Sequence, residues 1–315
     1  MVKRILDTTP SDFRAMTADD LDQSIRLAEG RTIACECVSS IPPLIDGVTN
    51  AEVVAAMGAD LIVLNVYDVN HPLIFGLPGD NTLPIWNTDP GTFFQVSQGV
   101  TVQDVKKLVG RPVGIVLEAS DISTDVYQGR KATAENTRKA HQQGADMVYI
   151  SGNPGAGTTN QSIVDAVQAI KNAMKDQLFI VAGKIHGAGV LAEQGRTLMS
   201  EADVRAICQA GANAVAMPMP GAIPGWTVAH AHALAEAVHA EGNLAWMVLD
   251  HGIEGAQREA IIQFALNASM AGADVLEIGD SGLGGIAWPE NVMELSMAVR
   301  GRRHTLRRMA MSLNR

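Results

Sequence analysis

One pattern, repeated four times, constrains this chain more than any other feature. It reads Met57-Gly58-Ala59-Asp60-Leu61-Ile62-Val63-Leu64-Asn65, Gln143-Gly144-Ala145-Asp146-Met147-Val148-Tyr149-Ile150-Ser151, Ala210-Gly211-Ala212-Asn213-Ala214-Val215-Ala216-Met217-Pro218 and Met270-Ala271-Gly272-Ala273-Asp274-Val275-Leu276-Glu277-Ile278-Gly279-Asp280. In each copy a glycine suits the left-handed position that closes a helix, an Asp or Asn suits the turn, and a short apolar run has the length of a buried parallel strand. A second kind of strand alternates with these, beginning after Arg31, Arg111, Gln177 and Asn243, and the last three of those starts are 66 residues apart. Eight strands in four two-strand units, with helical patterns between them, predict an α/β fold: a closed (β/α)8 barrel, with an open eight-stranded sheet as the alternative.

A single barrel over 1–315 accounts for the length, and an apolar content of 47% supplies its core. Residues 1–30 form an extension in which Thr17-Ala18-Asp19-Asp20-Leu21 has the cap and acidic first turn of a helix, expected to close the bottom of the barrel. Further helices are expected from Thr49, Thr101, Ser200, Gln257 and Pro289, over Lys131 to Gly144, and near 226–240. After strand 2, residues 66–100 carry turn residues without periodicity and hold Phe75, Trp86, Phe93 and Phe94; a structureless segment of this length reads as a lid or binding loop.

A net charge of −10 without a basic run argues against a nucleic-acid surface, and the clusters Arg300-Gly301-Arg302-Arg303 and Arg307-Arg308 read as a solvated or subunit-facing last helix. That helix and the apolar composition are the basis for expecting a homo-oligomer. No signal-like or membrane-length apolar run occurs, so a cytoplasmic location is expected and a membrane partner is not. Cys35, Cys37 and Cys208 read as reduced core residues, and His230, His232 and His239 lack the spacing of a helical zinc site.

Barrel enzymes place their chemistry at the carboxyl ends of the strands, and side chains alternate along a strand, so counting sorts inward from outward residues. Counted seven places from Arg111, Gln177 and Asn243, the strand ends are Glu118, Lys184 and Asp250; counted from the repeat glycines they are Asn65, Ser151, Pro218 and Gly279, with Glu277 one inward step earlier. Glu36 ends strand 1, and His186, His251 and Asp280 lie just beyond the ends of strands 5, 7 and 8. The gathering of so many ionisable groups marks the rim as the candidate site, because burying unpaired carboxylates is costly.

After strand 8, Gly282, Gly284 and Gly285 are placed to bring backbone N–H groups to an anion, whereas Ser151-Gly152-Asn153-Pro154-Gly155-Ala156-Gly157-Thr158-Thr159 lacks the lysine of a nucleotide P-loop. With its eight-strand order and its Gly-x-Gly-Gly piece, the chain resembles the phosphate-binding TIM-barrel superfamily of aldolases, isomerases and synthases. That resemblance implies a lyase or aldolase acting on a small phosphorylated sugar or oxo acid, with the strand 8 loop holding phosphate. From the rim residues themselves, not from the resemblance, Lys184 is expected as the main catalytic group, through a Schiff base without a cofactor, and Glu118, Asp250 and Glu36 as its acid/base partners. Asn65, Ser151, His186, His251, Glu277 and Asp280 are expected to contact the substrate. Two alternatives stand beside this: magnesium or manganese held by Glu36, Glu118 and Asp250, as in a phosphoenolpyruvate mutase-like lyase or a hydrolytic barrel, and a barrel that binds a metabolite without turnover.

Overall fold

A computed structural model of the chain describes residues 1–77, 82–84, 95–121, 125–187 and 189–315. Eight parallel strands close into a barrel: β1 (Thr32–Val38), β2 (Leu61–Asn65), β6 (Val113–Glu118), β7 (Met147–Ser151), β8 (Phe179–Gly183), β9 (Ala214–Pro218), β10 (Leu244–Leu249) and β11 (Val275–Ile278), with β11 returning to β1. Helices α3 (Asn50–Ala56), α4 (Val102–Val109), α5 (Ala134–Gln142), α6 (Asn160–Met174), α7 (Glu201–Ala210), α8 (Val228–Ala240), α9 (Arg258–Ala271) and α10 (Pro289–Met309) follow the strands. The expected helix over Lys131 to Gly144 is shorter, because Thr133 caps Asn136 and sets the start at Ala134.

The Asp or Asn of the fourfold pattern does more than make a turn. The side chains of Asp60, Asp146, Asn213 and Asp274 accept the backbone N–H groups of Ile33, Val113, Ile180 and Ala245 at 3.0, 3.0, 2.9 and 2.7 Å. Their own backbone N–H groups donate to the carbonyls of those same residues at 2.8 to 2.9 Å. Each two-strand unit is therefore clamped at two points, which fixes the register on which every inward or outward assignment depends.

Inward side chains such as Leu61, Met147, Phe179, Leu244 and Val275 fill the lower barrel, and α1 (Pro10–Ala15) and α2 (Ala18–Arg26) plug it from below with Phe13, Leu21 and Ile25. The extension therefore closes the bottom as its capped helix implied. Outward side chains such as Ile62, Ile115, Ile180 and Met247 pack under the surrounding helices.

Two expectations are corrected here. The segment 66–100 is not structureless: β3 (Leu73–Phe75), β4 (Thr82–Pro84) and β5 (Gln95–Gln98) form a small antiparallel sheet in the order β3–β5–β4, tied to the rim where Phe75 N–H donates to Ser39 O at 2.9 Å. Strands of three or four residues are too short to show a period in the sequence, while Trp86, Phe93 and Phe94 lie outside the described residues. The basic last helix is also not wholly solvated. Gly301, at φ 71°, breaks α10 so that Arg300 and Arg308 both reach the buried Asp60, with Arg308 Nε 2.7 Å from its Oδ1.

Candidate active site

At the carboxyl end of the barrel opens a cavity of about 350 Å³, lined by Glu36, Asn65, Val66, Glu118, Ser120, Arg130, Tyr149, Ser151, Asn153, Ile185, His186 and Asp250. Another hollow of about 400 Å³ lies beside the plugging helices, but its Asp146 is already committed to Lys106 and to the Val113 N–H. The upper cavity is the one towards which strand-end side chains converge.

Its floor is a pair of carboxyls. Glu36 from β1 and Glu277 from β11 point inward on neighbouring strands, so that their carboxyls face one another, and Trp246 Nε1–H from β10 donates to Glu277 Oε2. Two neighbouring carboxylates, both buried, oppose each other's ionisation, so the pair holds a proton. Burial, reinforced by Asp250 and Asp280 and opposed by the Trp246 hydrogen bond, raises Glu277 to about 8. Burial, then the charges of Asp280, Glu277 and Asp250, pushes Glu36 well above the usual carboxylate range. Tyr149 stands on the same floor with its hydroxyl buried and without a partner among the described residues.

Above the floor, Asp280 is raised to about 6 by burial and by Asp250, while Asn65 Nδ2 at 2.9 Å and Ser281 Oγ at 3.2 Å donate to it and hold it down. Asp250 reaches the cavity because the residue facing it just past β11 is Gly279, where a Cβ would stand 2.5 Å from Asp250 Oδ1. His186 and His251 stack with ring centroids 4.9 Å apart. Burial lowers the pKa of His186 and favours its neutral ring. The backbone bends sharply beside these groups: Val66 (φ 58°) and His251 (φ 75°) adopt the left-handed conformation, an outlier for a β-branched residue and a mark of a constrained site.

On the opposite wall Glu118 is ion-paired with Arg130, whose segment is set by the close approach of Gly129 to Asp68: a Cβ on that glycine would overlap Asp68 Oδ1 at 1.7 Å. Sequence counting missed Arg130, Tyr149, Trp246 and Glu254. Tyr149 and Trp246 share the inward parity of Ser151 and Asp250 and were legible in principle, whereas Arg130 and Glu254 stand on 3-10 turns that no strand period reports.

Lys184 does not join the site. Measured from the clamp points, Glu118 and Asp250 stand five residues after Val113 and Ala245, but the fifth residue after Ile180 is Ile185. Gln177 sits one residue farther from its clamp point than Arg111 and Asn243 do, so equal spacing placed Lys184 one step out of phase. Its side chain faces away from the barrel axis, 1% exposed, with Nζ 2.5 Å from Glu193 Oε2. The strand 8 glycines are likewise engaged in packing. Leu283 N–H donates to Ile286 O at 3.0 Å around Gly284 (φ 63°) and Gly285 (φ 77°), and a Cβ at Gly285 would meet Ile41 at 2.3 Å. The nearby Ser281 N–H is taken by the Glu254 carboxylate at 2.5 Å.

The ligand set Glu36, Glu118 and Asp250 expected for magnesium or manganese is not assembled, since Glu118 pairs with Arg130 and Glu36 with Glu277. Among the described residues no group of three or more His, Cys, Asp or Glu side chains is arranged to hold a metal ion. Cys35, Cys37 and Cys208 are buried free thiols, and no helix among the described residues is long and apolar enough to cross a membrane.

The family model described as "Domain of unknown function (DUF7916)" matches residues 6–315. No curated protein matches the chain in sequence. Among solved structures, the open form of tryptophan synthase from M. tuberculosis is 14% identical with a TM-score of 0.50, covering 93% of this chain and 100% of that one. The carboxyl transferase domain of Rhizobium etli pyruvate carboxylase is 13% identical with a TM-score of 0.51, covering 96% of this chain and 52% of that one. An archaeal fructose 1,6-bisphosphate aldolase is 15% identical with a TM-score of 0.49, covering 86% and 94%. At these identities the likeness is one of fold alone, that of the closed (β/α)8 barrel.

Proposed function

Because the chain belongs to that family, whose description carries no chemistry, we propose from its own residues that it is a carbon–carbon lyase or isomerase working by acid–base catalysis. Its substrate is a small oxo acid or a sugar-like hydroxy-carbonyl compound, in which a proton is moved at the carbon next to a carbonyl. The observation that carries this is the Glu36–Glu277 pair: a carboxylic acid kept protonated near neutral pH at the floor of the cavity, with Asp250 facing the same space. Environments that push neighbouring carboxyls apart in pKa separate a general acid from a general base.

In this assignment Glu36 donates to the carbonyl oxygen as negative charge develops there, Tyr149 adds a second donor, and Asp250 removes the proton from carbon. Glu277 and Trp246 hold Glu36 in place. The anionic end of the substrate, a carboxylate or phosphate, lies against Arg130, Ser120, Ser151 and Asn153, on the wall away from Asp280 and Glu254. Lys184 takes no part, and no step passes through a metal. The test is deuterium incorporation from heavy water into a panel of oxo acids and hydroxy-carbonyl compounds, with and without a phosphate group, followed by proton NMR. Exchange at the carbon next to the carbonyl by the wild type, reduced about a hundredfold or more in Glu36→Gln, supports the proposal. Absence of exchange across the panel, or undiminished exchange in the variant, rejects it.

A further inference from the structure

The turn after β10 carries a buried acid that the chemistry above does not use. His251 at φ 75° and Gly252 at φ 92° fold the chain back, and the 3-10 turn Ile253–Gly255 returns Glu254 beneath the rim, where it is 0% exposed. Its backbone is fixed from α10: Asn291 Nδ2–H donates to Glu254 O at 2.8 Å and to Ala256 O at 3.0 Å. Oε1 accepts the Ser281 N–H at 2.5 Å, the carboxyl faces Asp250, and Oε2 meets no donor among the described residues. There is no slack around it, since a Cβ on Gly282 would stand 3.3 Å from Glu254 Cγ.

We propose that Glu254 is a positioning residue for Asp250, carrying the proton that this second carboxyl pair shares and donating it in a hydrogen bond that keeps Asp250 aimed into the cavity. The proposal rests on the reading of Asp250 as the base. Ser281 Oγ, 3.4 Å from Asp250 Oδ1, and the clearance at Gly279 fix the other side of Asp250. Asp280 and Glu277 face Asp250 from β11 and the loop after it, Glu36 from β1, Tyr149 from β7 and His186 from the loop after β8; the acids make a second negative charge here costly and favour the shared proton. Burial first, then Asp250, raises Glu254 to about 7, so the shared proton is lost as the solution turns alkaline. Loops after the seventh and eighth strands of such barrels commonly hold phosphate, and in the loop after β11 the Glu254 carboxylate takes one backbone donor, the Ser281 N–H.

Two variants and one titration test this. Glu254→Gln keeps a donor to Asp250 and removes the titration; exchange near neutral pH is retained, and the alkaline decline of the wild type moves to higher pH. Glu254→Ala removes the donor; exchange falls by roughly ten- to a hundredfold, the worth of one hydrogen bond to a charged group, and formate restores it. An unchanged alkaline limb in Glu254→Gln, or no rescue of Glu254→Ala by formate, overturns the proposal. Carbon-13 NMR of labelled Asp and Glu carboxyls reads the pair without turnover: the resonance titrating near 7 disappears in Glu254→Gln and moves toward the ordinary carboxylate range in Asp250→Asn. A Glu254 titration indifferent to Asp250→Asn also overturns it. If the wild type exchanges nothing while this coupling is present, the base assignment fails and the pair stands.

Discussion

Replacing Glu277 by Gln isolates the cost of the buried acid pair. Glu277 is 0% exposed, and its pKa stands at about 8 against an ordinary value of 4.5. At about 1.36 kcal/mol per pH unit, ionising it in the folded state costs on the order of 5 kcal/mol more than in the unfolded chain. The sign follows from proton counting. Between about 4.5 and 8 the folded protein keeps a proton on Glu277 that the unfolded chain has released, so this contribution is complete below 4.5 and is lost as pH rises through 8. Gln preserves the shape, still accepts the Trp246 N–H and offers an amide donor to Glu36, but cannot ionise. Urea unfolding followed by tryptophan fluorescence, at fixed ionic strength from pH 5 to 9, therefore gives a wild type whose stability falls with pH more steeply than that of Glu277→Gln. The difference between them changes by a few kcal/mol in favour of the variant towards the alkaline end. Parallel curves would refute the shared proton at the floor of the site.

Other consequences are separable. Asp60→Asn leaves the buried Arg300 and Arg308 without their counter-charge and is expected to destabilise the fold by about 3–5 kcal/mol, read as a shift in the urea midpoint. Glu193→Ala strands the buried Lys184 ammonium at a similar cost of roughly 3–5 kcal/mol, and Lys184→Met combined with it restores most of the loss. Deuterium exchange, normalised to folded protein, is unchanged in that double variant if Lys184 is outside the chemistry. Gly279→Ala places a methyl 2.5 Å from the Asp250 carboxylate; exchange falls about a hundredfold from misplacement while far-ultraviolet circular dichroism stays native.

Four of the eight strands have a counting origin that is both physical and visible in the sequence. The repeat glycines close helices, so Asn65, Ser151 and Glu277 fall inward when counted from them. The other four strands have their origin in the residues clamped by Asp60, Asp146, Asn213 and Asp274, and no feature of the clamped residue itself marks it in the sequence. A one-residue difference in the connection before β8 was enough to turn Lys184 from inward to outward, since side-chain direction reverses at every residue of a strand. Arg130 and Glu254 reach the site from turns whose paths depend on close approaches, of Gly129 to Asp68 and of Gly282 to Glu254, and those are properties of the folded chain alone. The glycines after β11 were expected to bring N–H groups to an anion; the structure packs Gly284 against Leu44 and Gly285 against Ile41 of this same chain.

The account is tested most directly by a crystal structure of Glu36→Gln with an exchanging substrate from the panel. The central claim requires the substrate carbonyl oxygen beside the side chain at position 36 and the Tyr149 hydroxyl, the exchangeable carbon facing Asp250, and the anionic group against Arg130. An imine on Lys184, or the anionic group seated on the backbone of Gly282 to Gly285, would contradict it.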